Sequence, residues 1–209
     1  MKLKELNSLL QGVQTFENPK IDLEQYSTGP HLAAQLVFTA DTSFGDICGK
    51  TVVDLGCGTG MLSIGAAMLG SSHVVGVDVD ADALRTACSN VEEFQGLSID
   101  FLQLRLHAAD QLPCRLRADT VILNPPFGTR RKGADIEFLQ IAIQVAYGAV
   151  YSLHKTSTRA HVQRVAQREP RVASAEVLAE MRFDLPATYA FHKQRSADIA
   201  VDLWRVALS

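Results

Sequence analysis

From Lys50 to Leu153, short runs rich in Val, Ile and Leu alternate with segments of helical spacing, and this rhythm restricts the fold more than any other feature of the chain. Strands separated by helices lie parallel, with the helices covering both faces of the sheet. The first run, Thr51-Val52-Val53-Asp54-Leu55, ends at Gly56. A helix follows, with Leu62, Ala66 and Leu69 on one face and Gly70 as its stop. His73 to Val79 forms the second strand. Asp80 is placed to cap a helix presenting Leu84, Ala87, Cys88, Val91 and Phe94, which Gly96 closes. Ile99 to Leu104 is a third strand. Asp119 to Leu123 is a fourth, ended by Pro125-Pro126 because proline cannot continue a central ladder. Asp135 reads as the cap of a helix carrying Ile136, Leu139 and Ile143. A fifth strand at Ala149 to Leu153 and a helix near Thr158 to Arg168 follow.

The spacing then changes. Val177, Ala179, Met181 and Phe183 alternate with their neighbours, as do Ile199, Val201 and Leu203, which predicts an antiparallel pair closing the sheet. Lys2 to Val13 and Pro30 to Ala40 read as helices. The expected layout is one domain over 1–209, with 1–49 a helical cover and 50–209 the sheet core. With 209 residues, 47% of them apolar, such a domain can build its core without disulfides or metal. Cys48, Cys57, Cys88 and Cys114 form no C-x-x-C pair and have no histidine cluster beside them, so a zinc site is not expected and the thiols read as reduced. The apolar runs are too short to span a membrane, and Met1 to Leu10 lacks the stretch of a secretory signal, so the reading is a soluble protein. A net charge of −3, from 23 acidic and 20 basic residues, argues against strong non-specific nucleic-acid binding. An RNA substrate would need either a local basic patch or a partner to hold it.

Between the first strand and its helix lies Asp54-Leu55-Gly56-Cys57-Gly58-Thr59-Gly60. Glycines there let the backbone turn tightly beside a ligand, and helix N–H groups then face it. The dinucleotide fingerprint G-x-G-x-x-G fails in both registers, at Met61 and at Ser63. An acid before G-x-G-x-G instead resembles the first motif of class I S-adenosylmethionine-dependent methyltransferases. In that resemblance Asp54 holds the cationic amino-acid end of S-adenosylmethionine and the glycines make room for it. Asp78, at the end of the second strand, can accept both ribose hydroxyls of an adenosyl group.

Asn124-Pro125-Pro126-Phe127 follows the fourth strand, at the carboxyl edge where open α/β sheets bind ligands. It resembles the [DNS]-P-P-[YFW] signature of enzymes that methylate conjugated amino nitrogens. The lone pair of such an amine is delocalised and attacks a sulfonium methyl poorly. The Asn124 side-chain oxygen and the Pro125 carbonyl can each accept one N–H, which favours a pyramidal, nucleophilic nitrogen. Asn124 is neutral and so is no general base. The prolines fix the backbone, and Phe127 offers a flat face to an unstacked base. Arg130-Arg131-Lys132 come next and are candidates for phosphate contact, with Lys155, Arg159 and Lys193 weaker ones. His154 and His192 are open to packing or RNA contact. Tyr26 and Trp204 read as core aromatics.

With these motifs placed, the chain resembles the eukaryotic methyltransferase-like enzymes that form N6-methyladenosine in small-subunit (18S) ribosomal RNA. The likeness rests on Leu23-Glu24-Gln25-Tyr26-Ser27-Thr28, Asp54 to Gly60, Asn124 to Thr129, Tyr151-Ser152-Leu153-His154-Lys155 and Phe191-His192-Lys193. It implies a Rossmann-like α/β fold with a seven-stranded, mostly parallel sheet, helices on both faces and an N-terminal helical cover. It implies cofactor contacts at Gln25, Thr28, Gly56, Gly58, Thr59, Met61, Asp78 and Leu106. It also implies a small zinc-binding activator subunit as heterodimer partner, and residence in the nucleus (nucleolus), the cytoplasm, or both. One position departs from the family. Arg105 stands where an acidic residue meets the cofactor's adenine, and Asp110 lies further on. Two other enzyme readings use the same motif, protein glutamine N5 and guanine N2 methylation. A third reading is a non-catalytic binding module of methyltransferase fold. Charge-assisted hydrogen bonds contribute about 1.5–3 kcal/mol each, so Asp78→Ala should weaken S-adenosylmethionine binding by on the order of tenfold to a hundredfold, measured by titration calorimetry.

Overall fold

A computed structural model describes residues 1–107, 116–186 and 196–209. Cys114, Asp110 and the Phe191-His192-Lys193 segment lie outside the described residues. The helices are α1 (Leu3–Leu10), α2 (Pro30–Phe44), α3 (Met61–Met68), α4 (Ala81–Glu92), α5 (Ala134–Val145) and α6 (Arg159–Ala166). The strands are β1 (Thr51–Leu55), β2 (His73–Asp78), β3 (Ile99–Gln103), β4 (Ala118–Leu123), β5 (Ala146–Lys155), β6 (Val172–Pro186) and β7 (Ser196–Leu208). They form one seven-stranded sheet in the order β3-β2-β1-β4-β5-β7-β6. The first five run parallel, and β7 lies antiparallel between β5 and β6. Strand order reverses between β1 and β4, so the loops leaving those two strands are neighbours.

Alternation along the strands divides the core. Val52, Ile122, Tyr151 and Leu203 face one side, where Leu6 and Leu10 of α1, Leu36 and Val37 of α2 and Ile64 of α3 pack on them. Val53, Val121, Leu123 and Val150 face the other, under Leu139 and Ile143 of α5 and Val162 of α6. Trp204 is fully buried there, as its reading as a core aromatic requires. Among the described residues no helix is long and apolar enough to cross a membrane.

Several boundaries differ from expectation. α1 stops at Leu10, while α2 runs a turn past Ala40 to Phe44 and ends on left-handed Gly45. β5 is longer at both ends than Ala149 to Leu153, because β4 pairs with one edge and β7 with the other up to Lys155. The cap of α5 is Gly133, whose φ of 81° suits glycine. Asp135 sits inside the first turn instead, with a carboxylate oxygen 3.5 Å from His154 Nδ1. In β6 the alternation switches faces at a bulge between Val177 and Ala179. Val177 packs with one core cluster, and Ala179, Met181 and Phe183 with the other. One extra residue in a strand inverts every side chain after it. Beyond the Lys155–Val201 pair, β7 leaves β5 and continues with β6 alone, as a two-stranded ribbon from Arg182↔Ala200 to Pro186↔Ser196.

Candidate active site

The register Asp54↔Ile122 between β1 and β4 carries the glycine loop and the Asn-Pro-Pro-Phe motif to one edge of the sheet. A cleft of about 430 Å³ opens there, lined by Gly56, Gly58, Asp78, Leu106 and Asn124 among others. A smaller cleft of about 30 Å³ shares Gly56, Gly58 and Asn124 with it and reaches Thr28, Asp54, Thr59 and Met61.

Asp54 is fully buried. Ser63 Oγ donates to its Oδ2 at 2.6 Å, while Oδ1 is buried with no hydrogen-bond partner. Burial pushes this carboxyl up to about 7, against the opposing pull of Ser63. An unpaired buried carboxylate oxygen costs free energy until a donor reaches it, and an ammonium group suits it. Asp78 accepts the Gly58 amide at 2.8 Å on Oδ2 and the Asp80 amide at 2.9 Å on Oδ1. Each oxygen keeps a second lone pair, enough for a pair of ribose hydroxyls. Burial raises the Asp78 pKa even though those amides lower it. Gly58 has φ 54°, and a Cβ on it would lie 2.7 Å from the Phe16 ring, so only glycine lets the N-terminal segment close over the loop. Leu106 is buried beside the cleft, whereas Arg105 lines it with an exposed side chain. Asn90 of α4, which no sequence motif marks, ties this region together. Its Nδ2 donates to Thr59 O and Gln14 O, both at 2.9 Å, and its Oδ1 accepts the Gln14 amide.

The strap from Phe16 to Thr28 crosses both clefts. Gln25 lines the larger one, but its amide is committed to the strap: Nε2 donates to Asp80 Oδ2 at 2.7 Å and Oε1 accepts the Lys20 amide at 2.7 Å. Sequence reasoning missed the role of Glu24. Its carboxylate is buried and accepts three successive amides of the loop after the Asn-Pro-Pro-Phe motif. Thr129 N reaches Oε2 at 3.1 Å, and Arg130 N and Arg131 N reach Oε1 at 2.8 and 3.4 Å. The Tyr26 hydroxyl donates to Oε2 at 3.0 Å. Burial pushes the Glu24 pKa up, yet these donors outweigh it and hold the group below the ordinary carboxylate value. Glu24 also has φ 50°, a left-handed conformation that costs a non-glycine residue about 1–2 kcal/mol. The clasp supplies what keeps it there.

Asn124 Nδ2 donates to Thr28 Oγ1 at 2.9 Å, and Asn124 Oδ1 is buried without a partner. Pro126 lines the larger cleft and Pro125 is buried. Phe127 departs from the expected open platform. It is buried, Tyr26 stacks on it at 6.0 Å between centroids and 20° between planes, and Phe183 meets it edge-on at 5.6 Å. Tyr26 is half-buried and packs against the core cluster through Phe127, as its reading as a core aromatic requires, and it also lines the larger cleft. Lys155 Nζ stands 5.8 Å from the Phe127 centroid.

The basic run is not uniform. Arg131 pairs with Glu137, which also lies 3.3 Å from His107 Nδ1, while Arg130 and Lys132 are exposed. Arg159 is bound to Asp202 and Glu180, so its work is structural. His154 is fully buried and pairs with Ser152 at 3.1 Å, which settles packing over RNA contact.

Comparison with known proteins accords with this geometry. A family model described as ribosomal protein L11 methyltransferase (PrmA) matches residues 25–125, from the strap to Pro125. The chain is similar to the rRNA N(6)-adenosine-methyltransferase METTL5 of Danio rerio, at 52% identity over 98% of both chains. It is similar to Mettl5 of Drosophila melanogaster at 46%, over 98% of this chain and 96% of that one. Among solved structures it resembles a putative RNA methyltransferase, PH1948 from Pyrococcus horikoshii, with a TM-score of 0.85 and 35% identity, covering 100% of this chain and 98% of that one.

The Glu24 clasp makes a measurable claim. Glu24→Gln keeps one acceptor oxygen and turns the other into an NH2 donor, so either the Thr129 amide and the Tyr26 hydroxyl or the Arg130 and Arg131 amides lose their acceptor, at a cost of about 1–3 kcal/mol. For a chain of this length that lowers Tm by about 2–12 °C in scanning fluorimetry. An unchanged Tm would mean that the loop does not depend on the carboxylate.

Proposed function

As a member of the METTL5 family of rRNA N(6)-adenosine methyltransferases, this chain is an S-adenosylmethionine-dependent RNA methyltransferase, and we propose that it forms N6-methyladenosine in small-subunit ribosomal RNA through the Asn124 acceptor. The observation that carries the mechanism is the buried, unpartnered Oδ1 of Asn124, a residue that lines both clefts. The cofactor supplies a methyl group on a sulfonium centre. Asp54 Oδ1 takes the ammonium of its amino-acid end, and the free lone pairs of Asp78 take its ribose hydroxyls. Gly56, Gly58, Thr59 and Met61 would line it along the loop, and the Leu106 backbone would meet its adenine end. Asn124 Oδ1 accepts one N–H of the target amine and the Pro125 carbonyl the other. These bonds draw the nitrogen lone pair out of conjugation in the transition state. Phe127 is covered by Tyr26 and Phe183 and lines neither cleft, so its part is to support the motif from behind. Arg130 and Lys132, both exposed beside the motif, hold phosphates.

Support for the small-subunit target comes from the Glu24-Gln25-Tyr26-x-Thr28 and Tyr151-to-Lys155 segments, which resemble enzymes with that substrate. A small zinc-binding activator is the proposed partner. The outer edge of β3 suits one, since it ends the sheet order with exposed Leu102 on it. Residence in the nucleolus, the cytoplasm or both follows the proposed substrate.

Two measurements test this reading. Asn124→Ala should slow methyl transfer by about a hundredfold to a thousandfold while cofactor affinity stays within about twofold, read by nucleoside mass spectrometry on small-subunit rRNA and by calorimetry. Full activity in that variant ends the mechanism. The second is a pH dependence. The folded Asp54 carboxyl is raised to about 7, so the free protein keeps it protonated below that pH and loses its stability contribution as pH rises through it. An ammonium ligand needs the carboxylate. Cofactor affinity should therefore rise up to about tenfold per unit from about pH 6 to 7 and level off above, and Asp54→Asn should flatten the profile.

A further inference from the structure

We propose that Glu24 is a positioning residue for RNA, holding the loop at 129–131 in one shape so that Arg130 and Lys132 meet the phosphate backbone already in place. The inference rests on the reading of Arg130 and Lys132 as phosphate contacts and adds the group that sets where they stand.

Three successive amides, of Thr129, Arg130 and Arg131, converge on the Glu24 carboxylate. The Tyr26 hydroxyl joins the same cluster, 3.0 Å from Glu24 Oε2 and 3.2 Å from Thr129 Oγ1. The loop is curled tightly here. Gly128 has φ 71°, and a Cβ on it would lie 3.4 Å from both Arg131 O and Gly133 N. Amides turned inward onto one anion restrict such a loop to one conformation out of many. Glu24 is only 6% exposed, so its effect on RNA runs through the loop rather than by contact. Of the cations that the loop carries, Arg131 is drawn to Glu137, while Arg130 and Lys132 stand exposed.

Ordering a loop at the moment of binding weakens a complex, and a loop ordered beforehand avoids that cost. The chain has a net charge of −3, so its hold on a polyanion depends on where a few cations stand and not on their total. The backbone points the same way. Glu24 keeps a φ of 50° that glycine would adopt more easily, and what glycine lacks is the carboxylate. Glu24 also lines the larger cleft, so fixing the strap for the cofactor is the rival role.

The test reads RNA affinity of the full chain by fluorescence anisotropy with a labelled small-subunit rRNA hairpin, beside calorimetric S-adenosylmethionine binding and Tm. Glu24→Gln keeps the size of the side chain. Glu24→Gly removes the carboxylate and relieves the left-handed backbone, which offsets part of the lost stability. Arg130→Ala combined with Lys132→Ala is the control. The expected result is a rise of about three- to tenfold in RNA Kd for both Glu24 variants, whatever their Tm. Added to the control substitutions, each Glu24 change should alter RNA Kd by less than about twofold, because the groups it positions are gone. An unchanged RNA Kd in Glu24→Gly, beside weakened binding in the control, would overturn the Glu24 role and leave the phosphate reading standing. Losses that add fully to those of the control, that follow Tm, or that come with an equal fall in cofactor affinity would also overturn it. Wild-type RNA affinity in the control would remove the phosphate reading itself.

Discussion

The parallel pairing of β1 with β4 is the constraint on which the site depends. Asp54 lies opposite Ile122 in that ladder, so Gly56 and Asn124, two residues further on each strand, leave the sheet side by side. No long-range contact between the two motifs is needed to bring them together. Backbone hydrogen bonds and the reversal of strand order do it, with helices packed on both faces of the sheet. A one-residue slip in this ladder would turn Asn124 to the opposite face and separate the acceptor from the cofactor loop.

Two buried oxygens without partners, on Asp54 and Asn124, stand at the two functional positions. Each costs the free protein about 1–3 kcal/mol, which ligands can relieve by donating to them. Evolution tolerates such groups where binding needs them and compensates elsewhere. Here the compensation is visible in the strap. Glu24 accepts three amides and a phenol, and Asn90 closes the gap between Gln14 and Thr59.

Much of this was legible in the residues. Period-two runs placed the strands, and the two motifs identified both halves of the cleft, because local patterning and backbone requirements are written in consecutive positions. What escaped has a common cause. Glu24 acts on amides more than a hundred positions away, and an acid bound to backbone leaves no partner residue to recognise. Its place in a segment shared with a known family was the only available signal. Tyr26 packs against the core as expected, but aromatic character alone does not show that its ring also borders the cleft. Asp135 reads as a helix cap, yet Gly133 holds the left-handed turn, a matter of φ rather than residue type. The bulge in β6 is invisible to alternation until the pairing is known.

The β6–β7 ribbon carries a consequence for local fluctuation. Before Val201, β7 has only β6 beside it, and β6 is itself the edge strand; a two-stranded hairpin is marginal by itself. Breaking a few of its rungs costs far less than opening the central ladder, so it forms its own low-energy cooperative unit. Phe183 belongs to that unit and touches Phe127 edge-on. An opening of the ribbon would therefore reach Phe127, through Phe183, before it reached the glycine loop that leaves β1.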